Sequence, residues 1–224
     1  DEVIIEKSSV NSGIITKILE RRNYIIRRAS NLAKETHILA SNLDQVALMI
    51  TLESPETPLE FVDRFLVSVE PYHIPTLLLI NKTDLYGPEK MAWCREVKAM
   101  YEFAGYCVME ISVLRMININ SVRDMLAGKL TAIAGNSGVG KTSLINLICP
   151  GLNLKTADIS AYHLTGKHAT TYPEMIPLPV GGFIIDTPGI RGFGVTDMEK
   201  NEIGLYFTDI FKLSKNCRFY NCTH

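Results

Sequence analysis

The chain has 224 residues, 46% of them apolar and 21% charged, with a net charge of −1. This length holds one to two domains with a substantial core, and the composition is that of a globular protein. The near-zero charge excludes a global basic field for nucleic acid, no apolar run approaches the roughly 18 residues that cross a bilayer, and no signal peptide pattern is present.

Residues 1–40 read as short strands at Val3–Ile5, Gly13–Leu19 and Tyr24–Arg28, separated by turn residues. Such spacing predicts a small barrel, incomplete at its front. Residues 17–34 hold Lys17, Arg21, Arg22, Arg27, Arg28 and Lys34 against Glu20 alone. A solvated strand face and an RNA-facing patch explain that cluster equally well. The chain begins at Asp1 and ends at His224, and reads as part of a longer protein.

From about residue 41 strands and helices alternate, which predicts βα units and a mostly parallel sheet. The expected strands are Val46–Thr51, Thr76–Ile80, Cys107–Ile111, Leu130–Ala134 and Phe183–Ile185. The expected helices are Leu59–Val69, Met91–Phe103, a short one over Val122–Leu126, Lys141–Ile148 and residues 198–213. Residues 150–174 read as a polar loop. Cys94, Cys107 and Cys149 lie in apolar stretches and are expected in the core. Five cysteines form no disulfide framework, which favours a reducing cytosol.

The motifs follow strands, where open α/β sheets bind ligands. Residues 135–142 read Gly-Asn-Ser-Gly-Val-Gly-Lys-Thr and fit G-x-x-x-x-G-K-[ST]. Gly135, Gly138 and Gly140 permit close backbone approach to a phosphate. The amides of Gly135, Asn136, Ser137, Gly138, Val139, Gly140, Lys141, Thr142 and Ser143 open a helix whose N-terminus attracts the anion. Lys141 would bridge the β and γ phosphates, and Thr142 would hold Mg²⁺.

Asn81-Lys82-Thr83-Asp84 ends the strand at Ile80. The Asp84 carboxylate can accept from two guanine N–H groups, a donor pair that adenine lacks. Lys82 could lie along the base or sugar, and Asn81 could tie this loop to the phosphate loop. Ser112 and Val113 would offer backbone N–H to the guanine oxygen. Asp186-Thr187-Pro188-Gly189 matches D-x-x-G. Asp186 would reach Mg²⁺ through water and Gly189 would sense the γ-phosphate, although a plain strand-ending turn uses the same residues. Thr170 and Thr171 are both candidates to touch Mg²⁺ and the γ-phosphate. Ile190 follows the D-x-x-G element, where small GTPases place a water-orienting Gln. His168 is the candidate to orient that water, the alternative being an ordinary loop histidine. Finally, Cys217-x4-Cys222-x-His224 supplies three residues able to ligate zinc, either with a fourth ligand past residue 224 or as an incidental cluster.

The guanine reader precedes the phosphate loop, the reverse of the usual order, so the chain reads as circularly permuted. The order Asn81–Asp84, Ser112, Gly135–Thr142, Gly166–Thr171, Asp186–Gly189, Cys217–His224 resembles the RsgA/YjeQ family. The resemblance covers nearly the whole chain. It implies a partial OB-fold barrel over 1–40, a circularly permuted P-loop GTPase domain over 41–196, and the start of a zinc-binding helical domain over 197–224. It also implies a GTP hydrolase of late small-subunit maturation, stimulated by the ribosome, with Mg²⁺, a structural Zn²⁺ whose fourth ligand lies past residue 224, and rRNA contacts. His168 matches the histidine that the family uses in hydrolysis. Ala169 departs from the family's three consecutive threonines. A cytoplasmic monomer with no membrane contact is expected. Two other readings remain: a GTP-dependent RNA-binding switch with incidental hydrolysis, and a P-loop ATPase with a chance N-K-x-D turn.

Overall fold

The computed structural model describes residues 1–9, 12–28, 36–152, 154, 174–186 and 202–218. The chain opens with two antiparallel hairpins. β1 (Val3–Lys7) pairs with β2 (Gly13–Ile18), and β3 (Tyr24–Arg28) pairs with β4 (Thr36–Ser41). The last of these strands was not expected from the sequence. Among the described residues the hairpins form two separate ladders.

Next come β5 (Gln45–Ile50), α1 (Leu59–Val69), β6 (Thr76–Ile80), α2 (Pro88–Ala104), β7 (Cys107–Glu110), α3 (Ile119–Leu126), β8 (Lys129–Ala134), α4 (Lys141–Ile148), β9 (Glu174–Pro177) and β10 (Gly182–Asp186). These strands build one sheet in the order β7-β6-β5-β8-β10-β9. Its ladders are parallel except at the β9 edge, as expected of βα units.

All six residues of β5 are buried, as a strand central to a covered sheet requires. Side chains alternate between faces with period two. Val46, Leu48 and Ile50 pack with Phe65, Leu66, Cys94 and Tyr101 from α1 and α2. Ala47 and Met49 pack with Val122, Leu126, Leu144, Ile145 and Ile148 from α3 and α4. Gln45 and Thr131 are buried polar residues that satisfy each other through a 3.0 Å hydrogen bond between Gln45 Nε2 and the threonine hydroxyl.

The second hairpin is locked to the sheet. Asn23 Nδ2 donates to the Leu43 carbonyl (2.9 Å), and the Leu43 N–H returns a bond to Asn23 Oδ1 (2.8 Å). Arg22 meets Asp44 at 2.8 Å, and Asp44 also accepts the Leu130 N–H at 2.8 Å. The Leu130 N–H first, then the Arg22 guanidinium, hold the Asp44 carboxyl below the usual carboxylate range. Arg21 forms a two-pronged pair with Asp1 (2.7 and 2.9 Å). Two arginines of the basic cluster are therefore spent on internal carboxylates, which reduces the patch they could present to RNA.

Two sequence expectations are corrected here. Cys107 is exposed because it opens β7, the sheet's edge strand. The described part of the stretch expected as one helix over 198–213 breaks at Phe207, between a 3₁₀ turn at Ile203–Tyr206 and α5 (Thr208–Ser214). The Thr208 hydroxyl and the Lys212 ammonium both donate to the Ala104 carbonyl, at 2.6 and 3.2 Å. They satisfy an orphan acceptor at the C-terminal end of α2, where a cation is also favoured by the helix dipole. Among the described residues no helix is long and apolar enough to cross a membrane.

Candidate nucleotide site

The phosphate loop leaves β8 and enters α4. Gly135 has φ +140°, and a Cβ there would lie 2.2 Å from the Met49 carbonyl oxygen of the neighbouring strand. Gly140 has φ +104°, and its Cβ would lie 2.5 Å from Asn81 Nδ2. Both positions need glycine on conformational and steric grounds. Val139 is the loop's anchor, fully buried among the side chains beneath α4. Lys141 Nζ donates to the Gly135 and Asn136 carbonyls at 2.6 and 2.8 Å, so its ammonium sits over the loop.

The N-K-x-D segment leaves β6, two strands away in the sheet. Asn81 is 2% exposed and spans three loops. Its Nδ2 donates to the Val139 carbonyl (2.8 Å), and its Oδ1 accepts the Val113 N–H (3.1 Å). Lys82 has φ +65°, and its Nζ donates to the Ser54 carbonyl. Burial lowers the Lys82 pKa while the Asp84 carboxylate opposes that shift. Asp84 Oδ1 accepts the Ser112 hydroxyl at 2.5 Å.

Ser112 and Val113 were expected to offer N–H groups to a base oxygen. In the structure the Ser112 N–H donates to Ile117 (3.3 Å) and the Val113 N–H donates to Asn81. The Ser112 side chain instead orients Asp84, and its Oγ also accepts the Arg115 N–H at 3.0 Å.

These segments converge on one cavity of about 610 Å³. Asn81, Lys82 and Asp84 line it from one side; Gly140 and Ser143 line it from the phosphate loop. The volume lies within the range of small-molecule sites. Sequence reasoning missed its apolar wall, made by the exposed side chains of Leu85, Leu114 and Met116. Exposed apolar residues directly after N-K-x-D and Ser-Val were the available signal. A larger cavity, about 880 Å³, lies around Arg21, Arg22, Asp44 and Leu130, and contains none of the motif residues.

Asp186 closes β10 beside β8, opposite Ile133 in the ladder. Burial raises its pKa, Lys141 pulls it down and Glu174 adds to the rise. The carboxylate and the Lys141 ammonium thus act on one another at the same end of the sheet. Gly189, His168, Thr170, Thr171, Cys222 and His224 lie outside the described residues. Cys217 is exposed just past α5. Asn136, Ser137, Gly138, Thr142 and Ser143 lie on the loop and first turn as expected.

A family model described as RsgA GTPase matches residues 18–196. The small ribosomal subunit biogenesis GTPase RsgA of Bacteroides fragilis is 49% identical over all of this chain and 72% of its own length. The RsgA of Christiangramia forsetii is 49% identical over 95% of this chain and 68% of its own. Among solved structures, YjeQ from Thermotoga maritima matches with TM-score 0.79 at 32% identity, covering 99% of this chain and 70% of that one. YloQ, a circularly permuted GTPase, matches with TM-score 0.74 at 28% identity, over 99% and 67%.

Proposed function

The chain belongs to the RsgA GTPase family, and from that premise we propose that it hydrolyses GTP in the maturation of the small ribosomal subunit, at a rate raised by the ribosome. The observation that carries this reading is the shared cavity: Asp84 and Gly140 line one space, and Asn81 is hydrogen-bonded to the phosphate loop. We assign the guanine end to Asp84, Lys82 and the Ser112–Val113 turn, and the phosphate end to the amides of 135–143 with Lys141.

The donor set fits Mg²⁺. Thr142 offers a hydroxyl in the first turn of α4, and Asp186 offers a carboxylate coupled to Lys141. When bound, Mg²⁺ neutralises charge developing on the transferred phosphoryl group. Lys141 exchanges its loop carbonyls for phosphate oxygens, and the loop amides hold the equatorial oxygens as charge spreads over them. His168 orients the attacking water, since Ile190 cannot accept or donate a hydrogen bond. Thr170 or Thr171 and Gly189 sense the γ-phosphate, and hydrolysis frees the segment that leads to Cys217.

We also infer an OB-type barrel portion over 1–40, the GTPase over 41–196, and a zinc domain beginning at 197. Cys217, Cys222 and His224 have ligand spacing for Zn²⁺, with rRNA the expected partner of the flanking modules and the cytoplasm the place of action as a monomer.

The experiment is GTP hydrolysis by the purified protein with and without small ribosomal subunits, run beside ATP. Strong stimulation with GTP alone supports the reading. ATP turnover equal to GTP turnover rejects it. His168→Ala separates enzyme from binding switch: hydrolysis falls by about 10²-fold or more with GDP affinity intact if the histidine orients water.

A further inference from the structure

β5 and β6 run parallel with Ile50 opposite Ile80, and the ladder continues one bond further, from the Asn81 N–H to the Ile50 carbonyl at 2.8 Å. In a parallel ladder the next rung would join the Leu52 N–H to the Asn81 carbonyl. A side chain occupies that rung instead. The Tyr86 hydroxyl accepts the Leu52 N–H at 2.7 Å and donates to the Asn81 carbonyl at 2.7 Å. The two strand ends are thus separated by one oxygen at the point where the guanine loop begins.

The same residue also ends that loop. Lys82 takes a left-handed conformation, Thr83–Leu85 form a 3₁₀ turn, and the Tyr86 N–H closes on the Thr83 carbonyl at 3.3 Å. Tyr86 returns its hydroxyl to the carbonyl five residues back, so the segment carrying Asp84 is clasped at both ends.

We propose that Tyr86 is a specificity-positioning residue for the nucleotide base: its hydroxyl, inserted as a rung between β5 and β6, sets the orientation in which Asp84 faces the cavity. This rests on the guanine reading above. Burial raises the Tyr86 pKa to about 12, so the phenol remains a donor at any physiological pH. Without the hydroxyl, the Leu52 N–H and the Asn81 carbonyl either stay buried and unpaired or close on each other. Closure draws the start of the loop toward β5 and turns Asp84 away from the base edge.

The test is Tyr86→Phe with GDP, IDP and ADP binding measured by calorimetry. IDP lacks the exocyclic amine that Asp84 would accept. GDP affinity should fall roughly tenfold, the equivalent of about 1.4 kcal/mol, while IDP falls much less, compressing the GDP-to-IDP ratio. Equal loss for GDP and IDP, or no loss, overturns the inference and leaves the guanine reading standing. Wild-type protein that binds ADP as well as GDP overturns both. If the variant does not fold, hydrogen exchange of the wild-type Leu52 amide decides. Strong protection supports the inserted rung, and exchange at the rate of an open loop overturns it.

Discussion

Asn81 Nδ2 lies 2.8 Å from the Val139 carbonyl oxygen, joining two loops 58 residues apart in the chain. The bond is buried and carries position: it fixes the distance between the Asn81–Asp84 loop and the glycine-rich loop over 135–142. Asn81→Ala strands the Val139 carbonyl and the Val113 N–H. Each orphaned group costs about 1–3 kcal/mol where water cannot reach it. Urea unfolding without nucleotide should therefore show a loss of about 2 kcal/mol or more, and GDP binding should weaken beyond that. An unchanged unfolding midpoint would refute the link.

Glycine requirements differ sharply between the phosphate loop and the start of α2. Gly140→Ala drives a methyl to 2.5 Å from Asn81 Nδ2 at a positive φ, and should reduce GDP affinity at least tenfold. Gly87→Ala meets nothing within 4 Å and should leave GDP binding within about twofold, since surface changes cost little. Equilibrium dialysis with labelled GDP compares the two.

Asp84 is steered by Ser112 across a 2.5 Å bond. Asp84→Asn replaces an acceptor with a donor pair and should shift preference from guanosine to xanthosine nucleotides, whose base offers an acceptor there. Ser112→Ala keeps the carboxylate but frees its rotamer, and should weaken GDP by about tenfold or more, the lower end of the value of a hydrogen bond to a charged group. Competition of XDP against GDP on both variants checks the assignment. Asp84→Asn protein that still prefers GDP would break it.

Burial also predicts an alkaline limit. The phenols of Tyr86 and Tyr106 are both raised to about 12 from an ordinary value of 10.0, burial being the largest cause, and burial pushes Tyr101 up further. A raised folded-state pKa means that the folded protein holds its protons longer than the unfolded chain. The stability is complete below pH 10 and is lost as pH climbs toward 12. Burial raises the Cys94 thiol as well, to about 11 from 9.0, so denaturant midpoints should begin to fall near pH 9 and fall steeply beyond about 10. Tyrosinate absorbance of the folded protein should lag behind that of the unfolded chain. Overlapping titrations would mean these hydroxyls are exposed.

Much of the local architecture was legible in the sequence. Thr76–Ile80 is a strand with the expected bounds, and α4 spans Lys141–Ile148 as read. Those segments are strongly patterned: an unbroken apolar run buried on both faces, and a glycine loop that must turn into a helix. β9 was missed because Glu174–Pro177 is an edge strand with mostly exposed side chains, including a proline, and so has no apolar run. Cys107 was misplaced into the core because apolar neighbours in sequence do not reveal which strand lies at an edge. The basic cluster was ambiguous because Asp44 and Asp1, the partners of Arg22 and Arg21, come from distant points in the chain.

From residue types alone came the glycines, the lysine, the Asn-Lys-Thr-Asp turn and their reversed order, because each rests on a local backbone or charge requirement. Which loops meet is a matter of strand order, and the sheet alone places β6 beside β5 and β5 beside β8. Only that packing makes Asn81 a bridge, gives Ser112 a side-chain task beside Asp84, and inserts the Tyr86 hydroxyl between Leu52 and Asn81. A hydrogen bond depends on the approach of two groups in space, and sequence separation carries no information about that approach until the chain has folded.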